Sequence, residues 1–219
     1  MTASQQQLLS MALSLLVTMM ASGAVAAYLL RRFFNIAFII GMFIISIVLI
    51  FVAISVAESG NVVVIFFVAA AFGASVAADF GGLALLMGRQ RGLSPERTFH
   101  GVMIALGITS FVTILAGIIG IYSGINFQGL GMVLFAGLWI LIGLGVAGIV
   151  GVVSQQAEYA IGIAASVFWG IYMIYDFNKV VDRYVEASWP AAMEIAMSLY
   201  LDIINFLIRI LPYVLDAMD

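Results

Sequence analysis

The chain has no cysteine, one histidine, one lysine and three prolines among its 219 residues. Without cysteine there is no disulfide, no thiolate metal site and no cysteine nucleophile. His100 alone cannot build a haem or zinc site, so no cofactor is expected. Charge is scarce too: 9% of residues are Asp, Glu, Lys or Arg, and the net charge is −3. So small a balance marks no charged partner, and nucleic acid is not expected as one.

What the chain has in excess is apolar surface. Hydrophobic residues make up 65% of it and the mean hydropathy is +1.22, leaving too few polar residues to coat a soluble globule. Runs long enough to cross a bilayer, at about 20 residues each, lie at about 8–30, 36–57, 62–87, 101–122, 131–152, 159–177 and 190–211. The fold class expected is therefore all-α, a polytopic seven-transmembrane-helix bundle in which residues 1–219 form a single integral membrane domain and the lipid bilayer is the principal partner. The separators are short and polar, DFNKVVDRYVEASWP at 176–190 being the longest, and none holds a soluble domain.

Local signals refine these bounds. Ser94, Pro95 and Glu96 read as an N-cap, a first-turn proline and an acidic helix start, which moves the fourth helix back to near Ser94. Trp189 and Pro190 open the last helix, and Pro212 is expected to end it. The first run resembles a secretory signal around Ala24 to Ala27. Its leader MTASQQQ carries no positive charge, however, and the run continues to Leu30, so a retained helix is expected. Of 22 glycines, many fall in the fourth and fifth runs. Gly120 and Gly124 form a small-xxx-small pair suited to close helix packing.

Polar residues inside the runs carry more information. At about 100° per residue, Glu194, Ser198, Asp202, Asn205 and Arg209 share one face of the seventh helix. Tyr172, Tyr175, Asp176, Lys179 and Arg183 share a narrow arc of the sixth. Ser75 and Asp79 mark a weaker stripe on the third, and turning the three stripes toward one another would hide them all. Intramembrane hydroxyls and amides often serve only as glue between helices, worth about 0.6–2 kcal/mol each, and Ser75, Ser198 and Asn205 fit that reading. Asp176 and Asp202 do not: a charge in mid-bilayer costs on the order of 2.5–3.5 kcal/mol, so it needs a partner, a proton or water. Asp79 fits either reading. Glu194, Lys179, Asp182, Arg183 and Glu186 lie near helix ends and read as solvated or snorkelling.

YMIYDFNKV at 172–180 and MSLYLDIINFLIRIL at 197–211 closely resemble two signatures of the transmembrane Bax inhibitor motif family. NFQGLGMVLFAGL at 126–138 resembles that family's loop before the fifth helix and the start of that helix. The resemblance is strong over the last 95 residues and weak before them. It implies a calcium leak whose opening is tuned by pH through two aspartates on the last two helices, and Asp176 and Asp202 are the positions here that match. The chemistry is reasonable: neighbouring carboxyls in a desolvated site share a proton and titrate in two coupled steps. Loss of the shared proton would part the helices, and calcium, a hard cation that takes oxygen ligands, would meet Asp176 and Asp202 transiently as it passes. Asp79, Glu194 and Asn205 offer further oxygens along such a route, and Arg209 either approaches the pair or snorkels.

This chain departs from the family pattern in two places. Glu58, Ser59, Gly60 and Asn61 stand where bacterial members often carry a basic latch after helix two, and the stretch ending at Asn126 replaces a basic run. Loop arginines Arg31, Arg32, Arg89, Arg91 and Arg97 place the N-terminus outside by positive-inside counting, whereas resemblance to bacterial inner-membrane members places it inside.

Two other function classes compete. One is a regulatory protein that restrains a membrane protease or a cell-death factor. The other is an intramembrane aspartyl protease, which also needs two aspartates, but the Gly-x-Gly-Asp half of that signature is missing around Asp202, and no enzyme activity is expected. A retinal pigment is disfavoured because Lys179 is the only lysine and the seventh helix has none.

Overall fold

A computed structural model describes residues 1–30, 35–150, 153–182 and 186–218. All seven expected helices are present: α1 (Ala3–Leu30), α2 (Ile36–Glu58), α3 (Val62–Gln90), α4 (Pro95–Tyr122), α5 (Gly131–Ile149), α6 (Gln155–Asp182) and α7 (Trp189–Asp216). Each is long and apolar enough to cross a membrane, and the described residues contain no strand. Arg31, Arg32, Arg183 and the last two residues of the expected fifth run lie outside the described residues.

The differences in helix bounds have local causes. α1 begins five residues early because Thr2 and Gln5 form a reciprocal cap: the Gln5 amide N–H donates to Thr2 Oγ1 at 3.2 Å and the Thr2 N–H to Gln5 Oε1 at 2.7 Å. Ser94 caps α4 as its sequence signals, accepting the Arg97 N–H at 3.3 Å. For α7 the cap is Ser188, which accepts the Ala191 N–H, with Pro190 in the first turn. Ser154 accepts the Ala157 N–H and starts α6 four residues before the expected run.

Pro212 does not end α7. The helix runs on to Asp216, since proline removes one backbone donor and a packed neighbourhood tolerates that loss. Leu211 and Leu215, on either side of it, are both fully buried. Gly124 is not half of a helical packing pair either. α4 has already ended at Tyr122, and Gly124 turns the chain out with φ +69°, a conformation open to glycine because it lacks a Cβ.

α7 is the axis of the bundle and packs against α1, α2, α3, α4 and α6. Its buried face includes Met193, Leu199, Tyr200, Ile203, Leu207, Leu211 and Leu215. Tyr200 is inserted toward α3, where its ring meets Phe72 edge-on and its hydroxyl donates to the Gly73 carbonyl at 2.9 Å. α5 stands at the periphery, touching only α6 and the 3-10 turn Gln128–Leu130 among the described residues. Met132, Val133, Phe135 and Trp139 project outward from it, as expected of a helix solvated by lipid tails. Contacts fix the N-terminal end of α1 beside the α6–α7 connection: Gln5 Nε2 donates to the Val181 carbonyl at 2.7 Å, and the Ala187 N–H donates to Ser4 Oγ at 3.0 Å.

Candidate functional site

Asp176 lies inside α6, not in the loop after it, because α6 continues to Asp182. Asp202 lies near the middle of α7. Both are buried, at 1% and 4% exposure, in the seam between the two helices. Their carboxyl groups come within hydrogen-bonding reach of one another once one of them carries a proton. Two of the three polar stripes therefore meet.

Lys179 completes this arrangement. Its Nζ lies 2.7 Å from Asp176 Oδ1, one turn along α6, and its side chain is 12% exposed. The contact pairs charges without good hydrogen-bond alignment. The ammonium also sits 5.1 Å from the centre of the Tyr175 ring, a favourable cation–π position. Lys179 is thus a counter-ion to the acid pair and not a solvated end residue, which corrects the reading from sequence. Tyr172, in an aromatic row with Phe168 and Tyr175, is close enough to feel the field of both acids.

The other candidates are placed less centrally. Glu194 is exposed near the start of α7 and contributes negative field at Asp176. Asn205 and Arg209 are half-buried further along the helix. Arg209 is not among the groups acting on either acid: seven residues of helix carry it about 10 Å along the axis from Asp202. Asp79 turns away from the pair and toward α2, where its Oδ2 lies in hydrogen-bond contact with Ser46 Oγ at 3.3 Å. The third stripe therefore does not join the other two. Among the described residues, no group of three or more His, Asp or Glu side chains is gathered as a ligand set.

Sequence reading missed the residue that braces this site from behind. Asn178, 4% exposed, points from α6 to the turn after α4. Its Nδ2 donates to the carbonyls of Gly120 at 2.9 Å and Ile125 at 3.1 Å, and its Oδ1 accepts the Phe127 N–H at 3.0 Å. Gln128 Nε2 adds a bond to the Asp182 carbonyl at 2.9 Å. α4 comes close enough for these bonds because residue 120 is glycine; a Cβ there would sit 2.5 Å from the Ile174 carbonyl oxygen. The segments 126–138 and 172–180, both singled out in the sequence, are thus joined side chain to backbone.

Chemically, two carboxyls holding one proton beside one ammonium form an electrically neutral unit that can stay out of water. Removing the proton leaves a net negative charge in the seam, where desolvation and mutual repulsion both oppose it.

No curated protein matches the chain. The family model described as inhibitor of apoptosis-promoting Bax1 matches residues 5–218. That match takes in α2 to α7 whole, with the α6–α7 seam, and all but the first two residues of α1, and the chain belongs to the Bax inhibitor family.

Proposed function

We propose that the protein is a pH-sensitive calcium leak of a cell membrane, the bacterial inner membrane on the resemblance, and that a proton shared by Asp176 and Asp202 keeps it shut. The observation that carries this reading is the burial of the two acids in mutual hydrogen-bonding reach on the last two helices. Asp176 faces the Lys179 ammonium and stays ionised, so the proton rests on Asp202. Asp202 Oδ2 has no hydrogen-bond partner, which a neutral acid tolerates far better than a carboxylate does.

In this mechanism the shared proton ties α6 to α7. As pH rises the proton leaves, the pair carries two negative charges against one positive, and the helices part to let water in. The exposed carboxylates then draw a divalent cation through by electrostatics and oxygen ligation, with Glu194 extending the acidic path outward. Calcium is chosen on the family resemblance; the geometry supplies the acid pair. No bond-breaking step is assigned to the protein.

The test is calcium flux in proteoliposomes, read with an entrapped dye at several pH values. Flux is expected to climb between pH ~6 and ~8, and Asp202→Asn is expected to hold it low throughout. A pH profile that neither Asp176→Asn nor Asp202→Asn alters defeats this mechanism. The family description favours a second reading, restraint of a partner such as a cell-death factor or membrane protease. Capture of a defined partner from native membranes, with no flux in liposomes, supports that reading instead.

A further inference from the structure

The bundle holds a third acid in the membrane interior, in different surroundings. Asp79 on α3 has its Oδ2 3.3 Å from Ser46 Oγ of α2. Ser46 Oγ is also 3.0 Å from Ser75 Oγ and 3.0 Å from the Met42 carbonyl oxygen. Ser75 donates to the Phe72 carbonyl at 2.8 Å. Both serines are buried, and Asp79 Oδ1 is buried with no hydrogen-bond partner.

Counting hydrogens decides which form of Asp79 this network suits. Ser75 uses its single hydrogen on Phe72. Ser46 has one hydrogen for three acceptors. An ionised Asp79 would take that hydrogen on Oδ2 and leave Oδ1, bearing half the charge, without any donor. A neutral Asp79 instead donates its own O–H to Ser46 Oγ, Ser46 donates onward to Met42 or Ser75, and Ser75 donates to Phe72. Every hydroxyl hydrogen then has an acceptor.

Among the described residues, no ion pair offsets a charge at this position. α1, α2, α4 and α7 pack on α3. From α2 the facing group is Ser46, and Glu58 is at that helix's far end. α1 presents Tyr28 on its exposed face. Among the described residues, Arg97 and His100 of α4 and Asp202 and Arg209 of α7 form neither a hydrogen bond nor an ion pair with Asp79. Asp79 does not act on either member of the Asp176–Asp202 pair.

We propose that Asp79 is a separate proton-binding site, an acid that carries a proton in the closed bundle and fastens α3 to α2 through Ser46. Deprotonation leaves Ser46 donating to a carboxylate whose buried Oδ1 has no donor, so the α2–α3 seam must admit water to it, independently of the α6–α7 seam.

Infrared spectroscopy of the full chain in bilayers tests this, in an Asp176→Asn/Asp202→Asn background that removes the other acid pair. At neutral pH the C=O band of a protonated carboxyl is expected, lost in Asp79→Asn and shifted in Ser46→Ala. The same comparison in the otherwise unaltered chain gives the Asp79 band as a difference if that background folds poorly. Identical spectra with and without Asp79→Asn overturn the proposal. Thermal unfolding gives a second readout. The neutral, isosteric Asp79→Asn is expected to keep the unaltered chain's Tm at neutral pH, and a large fall in Tm there would show that the site requires the carboxylate, which also overturns it.

Discussion

Lys179 and Asp176 are three residues apart on α6, their charged atoms 2.7 Å from each other, at the point where α6 meets Asp202 of α7. The cation that stabilises the acid pair therefore comes from the same helix as one of the acids. It travels with Asp176 whenever α6 moves, so it can bias the charge state of the pair without acting as a strut between helices.

Removing that cation should displace the pH response and leave it otherwise intact. With Lys179→Gln, losing the shared proton leaves two uncompensated negative charges in the seam, so the proton is held longer. Under the proposed gating, the rise in calcium flux is expected to move to higher pH by about 1–3 units, the range that an opposite charge at this distance commands. Flux measured against pH for Lys179→Gln and for Lys179→Arg, which keeps the charge, checks this. An unmoved midpoint in the glutamine variant would show that Lys179 only snorkels.

The two aspartates should respond unequally to neutralisation. Asp202→Asn keeps a donor toward Asp176 and leaves the Asp176–Lys179 pair whole, so folded yield should change little. Asp176→Asn strands the Lys179 ammonium at 12% exposure, and a cost of roughly 1–3 kcal/mol is expected, below that of a fully buried unpaired charge because water is near. Thermal unfolding of both variants in detergent at neutral pH gives the comparison. Equal losses would argue against placing the proton on Asp202.

What was legible in the sequence follows from periodicity. Asp176 and Asp202 stand out because each is an acid on the polar arc of an apolar helix, and two such arcs have little choice but to face each other. Lys179 shares that arc with Asp176, yet its place past the end of the apolar run made snorkelling the simpler reading; only the continuation of α6 to Asp182 put it inside the seam. Ser46 was invisible because a lone serine in an otherwise apolar run forms no stripe. Asn178 was overlooked for a related reason: it points about 200° away from Asp176 around the helix, toward a neighbour that no periodicity identifies. Pro212 misled because the rule that proline ends helices assumes a helix free to stop, while α7 is packed on both sides of it.

The Asn178 brace gives a further expectation. Asn178→Ala removes three hydrogen bonds at once, leaving the Phe127 N–H without its acceptor and the Ile125 carbonyl without its donor. At about 1 kcal/mol each, plus the cost of orphaned backbone groups, a loss of roughly 2–4 kcal/mol is expected. The local signature separates this from general destabilisation. Hydrogen exchange at the Phe127 amide should rise far more than exchange in the middle of α7, and uniform acceleration along the chain would refute the brace.

Gly120 tests whether the brace and the acid pair are mechanically linked. Any Cβ at residue 120 would meet the Ile174 carbonyl oxygen at 2.5 Å and Phe177 Cβ at 2.8 Å, and the first of these is backbone, which cannot swing aside. Gly120→Ala must therefore push α4 and α6 apart over the turn that carries Asp176. Overpacking of this kind costs about 1–3 kcal/mol, partly offset by the better helix propensity of alanine. Because Asp176 rides on the displaced turn while Asp202 is held by the packing of α7, the carboxyls are expected to separate and the shared proton to be held less firmly. In the flux assay this appears as opening at lower pH than in the unaltered chain, opposite in sign to Lys179→Gln. If Gly120→Ala lowers stability but leaves the pH of opening where it was, the position of α4 does not bear on the pair, and Asn178 serves only to fasten a loop.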